Sequence, residues 1–142
     1  MKQLIVTDIN FLRKRSEKVD KERALGIFCI LEDSLDIEKG CGLSAVQIGI
    51  LLKVAIIRLP NFKLNLWNPK IIEKNHPFRF MGERCLSLPG LSIDTKRYQN
   101  IIIENGDTNK YILSGLQAVA VLHEIDHLNG ILILDRKWRK RK

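Results

Sequence analysis

Apolar residues recur at helical spacing in two stretches of this chain, and a region of strand-like character lies between them. Ala24, Ile27, Phe28, Leu31 and Leu35 repeat every three or four positions. This predicts an amphipathic helix over residues 20–38, with mixed charge on its other face and Gly40 as its stop. From Lys53 to Ile103, short apolar runs alternate with Pro, Asn and Gly punctuation. Val54-Ala55-Ile56-Ile57, Ile71-Ile72, Phe78-Arg79-Phe80 and Ile101-Ile102-Ile103 read as antiparallel strands. Asn105-Gly106-Asp107 reads as a tight turn into Tyr111-Ile112-Leu113. The second helical pattern starts near Leu116; Ser114 and Gln117 predict a capping box at its start, and Gly130 its end. The sum is an α+β fold, with antiparallel strands packed around one central helix and a further helix near the N-terminus.

The central helix carries His123-Glu124-Ile125-Asp126-His127. Residues four apart share a helix face, so His123 and His127 can grip one metal ion from adjacent turns. Glu124 projects about 100° around from His123, within reach of a water on that ion without being a ligand. Leu116, Val119 and Ala120 lie seven, four and three residues before His123, which turns the histidines toward the core. A catalytic site of this kind takes three protein ligands and keeps an open position. The fifteen residues after His127 contain no His, Cys or Glu, and Ile133 stands where the extended metzincin protease pattern has its third ligand. The third ligand must come from upstream, from His76, Cys29, Cys41, Cys85 or an ordinary carboxylate. Cys85 falls near the end of an extended segment, ahead of the turn Pro89-Gly90. Cys29 sits within an apolar helical pattern and is expected as a buried small hydrophobe. His76, beside Pro77, is expected on an exposed loop.

Three ordered segments carry a family resemblance. Gly40-Cys41-Gly42-Leu43-Ser44-Ala45-Val46-Gln47 resembles the G-x-G-L-A-A-x-Q signature of the peptide deformylases. Glu83-Arg84-Cys85-Leu86-Ser87 resembles their E-G-C-L-S, and His123 to Gly130 matches H-E-x-D-H-L-x-G in full. Weaker similarity runs from Leu12-Arg13 through Asn68-Pro69 to Asp135-Arg136. The resemblance implies a hydrolase that removes the formyl group from the N-formylmethionyl ends of new polypeptides. It implies one divalent ion, Fe²⁺ or Zn²⁺, on Cys85, His123 and His127, with Glu124 as the base. The side-chain amide of Gln47 and the backbone N–H of Leu86 would hold the developing oxyanion. Gly42 and Arg84 would lie beside the substrate backbone, and Cys41, Met81, Leu116, Val119 and Ala120 would line the methionine pocket. An arginine recurs in the family twelve residues after the cysteine, so Arg97 is expected to pair with Asp126 and brace the ligand-bearing strand against the helix. Two departures stand out: Arg84 replaces a glycine, and the sequence stops at Lys142, short of a C-terminal helix common among relatives.

Composition fits this reading. A length of 142 residues with 45% apolar content suits one domain and one core. We expect a catalytic domain over residues 1–135 and a basic tail over 136–142. The first residues hold no apolar run long enough for a signal peptide, and no run approaches the ~18 residues that span a membrane. Three cysteines at unrelated spacings make no disulfide framework, which points to a reducing cytoplasm and, we expect, a monomer. The net charge is +8, but six of the 24 basic residues lie in 136–142, leaving the first 135 residues at +2. That argues against a broad nucleic-acid face. The tail reads as a solvated terminus; the resemblance adds a contact to ribosomal phosphates. Two other readings stay open: a metalloprotease with Cys85 as third ligand, and a non-catalytic deformylase-like binding protein. Glu124 and Gln47 have no ligand role, so their presence favours catalysis.

Overall fold

The structure, a computed structural model, describes residues 2–106 and 108–140. Asp107, part of the expected turn, and residues 141–142 of the tail lie outside the described residues. In chain order the elements are α1 (Ile9–Leu12), α2 (Lys21–Ser34), β1 (Gly42–Ser44), β2 (Val54–Leu59), β3 (Phe62–Trp67), β4 (Lys70–Glu83), β5 (Ile93–Glu104), β6 (Lys110–Ser114) and α3 (Gly115–Leu128). Short 3₁₀ turns occupy Ala45–Ile48 and Ile133–Arg136.

Two antiparallel sheets, β1-β2-β3 and β4-β5-β6, pack against α3. β2 explains the arrangement. Its run Val54-Ala55-Ile56-Ile57 is fully buried because both faces of the strand are covered. Ala55 and Ile57 face the core shared with Ile101, Ile103, Leu113 and the α3 residues Ala118, Val121, Leu122 and Ile125. Val54 and Ile56 face α2 through Ala24, Ile27 and Leu31. The central helix is therefore buried on almost every side, and polar groups on its inner face must find partners within the protein.

Several expectations need adjusting. α2 is shorter than 20–38: Asp20 caps it by accepting from the Arg23 N–H, and it ends at Ser34. Asp36 then forms its own turn, accepting from the Glu38 N–H on its side chain and from Lys39 and Gly40 on its carbonyl. Cys29 is exposed, since it lies two positions from Ile27 on a helix whose buried face runs through Ala24, Ile27 and Leu31. The two expected runs around Ile71 and Phe78 merge into the single long strand β4, paired with β5. His76 is exposed but belongs to that strand, with φ 61°. Ser114 stands at the N-cap of α3 but makes no side-chain capping bond, because it still pairs with Asn100 as the last residue of β6. Gly130 has φ 73°, and a Cβ there would lie 2.3 Å from the Arg13 carbonyl oxygen. Glycine lets the chain reverse after α3 while the N-terminal segment packs close. The Ser16 N–H completes that junction by donating to the Leu128 carbonyl at 3.0 Å.

Candidate active site

α3 presents His123 and His127 one turn apart, with ring centroids separated by 5.0 Å. The segment after β4 brings Cys85 against them, its Sγ 3.3 Å from His127 Nε2. Ligand-capable atoms of Cys85, His123 and His127 all lie within 4.8 Å of one another. His76 and Cys29 lie outside this group, and Cys41 stands on the rim of the adjoining cleft.

The surroundings fit a cation. Glu83 Oε2 accepts from His123 Nδ1 at 2.7 Å, which leaves Nε2 free to face an ion. Burial would lower the His123 pKa, but Glu124, Cys85 and Glu83 outweigh it and hold the protonated form well above the ordinary range. A place that favours a proton so strongly offers the same negative field to a metal ion. Burial, aided by His123 and Arg97, pushes His127 well below its usual value, so it stays neutral as a ligand must.

Glu83 is the hinge of the surrounding network. Its Oε1 accepts from Thr95 Oγ1 at 2.7 Å and Arg97 Nε at 2.8 Å, and its Oε2 from Arg97 Nη2. Burial works against its charge, but the bonds from His123 and Arg97 win and hold the carboxyl at about 2. Arg97 Nη1 donates to Asp126 Oδ2 at 2.8 Å, the pairing expected of these two residues. Arg136 reaches the same carboxylate from outside, through Nε at 3.1 Å and Nη2 at 2.9 Å. The first residue of the expected tail is thus fixed to the helix. Lys137 bridges Thr95, and the Trp138 N–H donates to the Asp94 carbonyl.

Glu124 and Gln47 complete the site. Glu124 is buried, its Oε1 has no hydrogen-bond partner among the described residues, and burial raises its carboxyl to about 7. Gln47 is 1% exposed. Its Oε1 accepts from Ser44 N–H and Oγ at 3.0 Å, and its Nε2 donates to Ser87 Oγ at 3.1 Å. With both ends of the amide fixed, the Nε2 lies 3.8 Å from the Cys85 sulfur. A Cβ on Gly42 would lie 2.6 Å from Glu124 Oε2, so only a glycine lets β1 run this close to the carboxylate.

These groups open onto a cavity of about 600 Å³, a size suited to a small ligand or peptide end. Cys41, Gly42, Arg84, Leu86, Leu116, Val119 and Ala120 all line it, as the sequence reading expects. Met81 does not. It is 66% exposed, and its neighbour Phe80 lines the cavity instead, because adjacent strand residues point to opposite faces. Leu88, Pro89 and Leu91 add an apolar wall that sequence reasoning had not assigned. Glu83 and Arg136 were also missed as partners. Glu83 is visible as the first letter of the cysteine motif and Arg136 within the weakly similar Asp135-Arg136, but neither signal names a partner.

The sequence pattern of the polypeptide deformylase family matches residues 1–142. A peptide deformylase of Aquifex aeolicus is 34% identical, over 99% of this chain and 91% of that protein. The fold is similar to the crystal structure of a peptide deformylase from Thermotoga maritima, with TM-score 0.85, 29% identity, and 98% and 99% of the two chains covered. It is also similar to a peptide deformylase from Synechococcus elongatus in complex with actinonin, with TM-score 0.86, 28% identity, and 97% and 79% covered.

Proposed function

The chain belongs to the peptide deformylase family, and from that premise we propose how its residues divide the work. It is a metal-dependent hydrolase that takes the formyl group from formyl-methionyl ends of new polypeptides. The observation that carries the assignment of roles is the convergence of Cys85, His123 and His127 beside Glu124 and Gln47 in one cavity.

Cys85, His123 and His127 would hold the ion, which would supply a water acidified to roughly pKa 7 and a Lewis acid for the formyl oxygen. Glu124, at the cavity wall, takes the proton of the attacking water and passes it to the departing amine nitrogen. Gln47 Nε2 and the Leu86 N–H donate to the oxyanion, each such donor being worth ~3 kcal/mol in the transition state. The fixed amide of Gln47 means little reorganisation is needed as charge develops. Gly42 and Arg84 flank the extended peptide, and Cys41, Leu116, Val119 and Ala120, joined by Phe80, receive the methionine side chain.

A thiolate with two imidazoles suits Fe²⁺ and Zn²⁺ alike and does not choose between them; we read the ion as one of these two. The free thiols suit a reducing cytoplasm. Among the described residues no helix is long and apolar enough to cross a membrane. We read the protein as a monomer with one catalytic domain, expected over 1–135 and joined by the contacts of Arg136, Lys137 and Trp138, and with the basic tail as the contact to ribosomal phosphates. The test combines metal analysis of anaerobically purified protein with assays on a formylated and an acetylated Met-Ala-Ser tripeptide. The assignment expects one ion per chain and release of formate alone. Cleavage of internal amide bonds would favour the protease reading, and a bound ion without hydrolysis the binding protein.

A further inference from the structure

Arg136 closes a chain of charged contacts that begins at a ligand. His123 bonds Glu83, Glu83 bonds Arg97, Arg97 bonds Asp126, and Asp126 accepts from Arg136 on both of its oxygens. Glu83, Arg97 and Asp126 are nearly fully buried, with side chains 4%, 3% and 7% exposed, whereas Arg136 is 38% exposed. Glu83 and Asp126 thus have a guanidinium each only if Arg136 is counted. Without it, Arg97 must serve two buried carboxylates, and Asp126 Oδ1 loses its partner. Arg97 would be drawn from Glu83 toward Asp126, and the bond that turns His123 toward the ion would slacken.

We propose that Arg136 is a positioning residue for the metal centre, so that the C-terminal segment sets how firmly the ion is held. The inference rests on reading Cys85, His123 and His127 as the ligands. Its neighbour Asp135 supplies a control. Asp135 ties the same 3₁₀ turn down by accepting from Arg13 Nη1 at 2.8 Å and from the Leu132 N–H at 2.9 Å. That pair touches neither Asp126 nor Arg97. An Arg13→Ala change therefore loosens the turn without entering the network.

The experiment loads the full-length protein with Co²⁺, records its visible absorption, and follows loss of the ion to excess EDTA. Arg136→Ala should shift the spectrum and release Co²⁺ about tenfold faster, the low end for groups that orient metal ligands. Arg136→Lys keeps the charge but lacks the planar fork that spans both oxygens, and should fall between Arg136→Ala and the parent. It also carries the test if Arg136→Ala does not fold. Arg13→Ala should match the parent in spectrum and release rate even if urea unfolding finds it less stable. Release rates and spectra unchanged in both Arg136 variants would overturn the proposal while leaving the metal site standing. Equal acceleration in Arg13→Ala would reduce Arg136 to a structural tie. A parent protein that takes up no Co²⁺ would remove the metal reading and this inference together.

Discussion

Gly42→Ala tests how closely catalysis depends on the position of Glu124. The added Cβ would stand 2.6 Å from Glu124 Oε2 and 3.0 Å from the Ile56 carbonyl oxygen, where ordinary contact begins at 3.4 Å. The backbone cannot give way easily, because β1 is paired with β2 through Gly42 and Ile57. Glu124 is 3% exposed, so its carboxylate has little room to swing aside. The displacement should approach ~1 Å, enough to cost about a hundredfold in rate, or ~2.7 kcal/mol of barrier. Steady-state hydrolysis of formyl-Met-Ala-Ser should show the loss mainly in kcat, and metal content should stay at the parent level because no ligand has moved. A kcat within threefold of the parent would refute the claim that this glycine exists to admit the carboxylate. Loss of the ion would instead mean that the steric push reaches His123.

The other expectations sort roles within the same cavity. Glu124→Ala should keep its ion and lose hydrolysis, whereas Cys85→Ser should lose or exchange the ion, since an alcohol is a poor anionic ligand at neutral pH; metal analysis with the formate assay reads both, and the reverse pattern would invert the assignment. Formyl-Met peptides should exceed formyl-Asp and formyl-Lys peptides by ~100-fold or more in kcat/KM, because the apolar pocket must desolvate a charge, and Met81→Ala should leave that ratio unchanged; equal rates for all three would remove the pocket. Arg84 lies on the open rim and should favour acidic residues downstream of methionine by ~1 kcal/mol, a preference that Arg84→Gly should abolish. Removing residues 139–142, beyond the Trp138 N–H bond to Asp94, should spare tripeptide hydrolysis yet weaken salt-sensitive binding to ribosomes, and unchanged affinity at low and moderate salt would leave the tail a solvated terminus.

What could be seen in the sequence followed the strength of the local signal. The α3 helix and its pair of histidines are legible because periodicity, the four-residue spacing and a following glycine all coincide between Leu116 and Gly130. Pairing between distant segments was not. β4 and β5 form one long ribbon, but the polar stretch Glu73-Lys74-Asn75-His76-Pro77 breaks the apolar pattern of β4, which therefore reads as two short runs. β3 was passed over although Phe62 to Trp67 alternates apolar and polar residues, and three-residue β1 gives no periodic signal. The resemblance puts Met81 in the pocket where the structure has Phe80, because one residue of register decides which side chain meets the cavity. Asp8, which caps α1 by accepting from the Asn10 N–H at 2.9 Å, shows a local rule that was present but unread.

The buried charges around His123 also say something about why this core is built as it is. Glu83, Arg97 and Asp126 could be replaced in principle by apolar side chains of similar volume, and such replacements of interior ion clusters are often neutral or stabilising. An apolar side chain at position 83, however, could not accept from His123 Nδ1, and the imidazole would be free to turn its donor nitrogen away from the ion. Once Glu83 is required, its charge must be answered, and Arg97 answers it from the neighbouring strand β5. Arg97 can then reach Asp126 on α3, which locks strand and helix at the spacing the ligands need. Each charge is thus the consequence of the one before it, starting from a single histidine that must point one way. The sequence H-E-x-D-H gives the helix both proposed ligands and the carboxylate that receives this bracing, and the aspartate inside the motif stays out of the cavity lining.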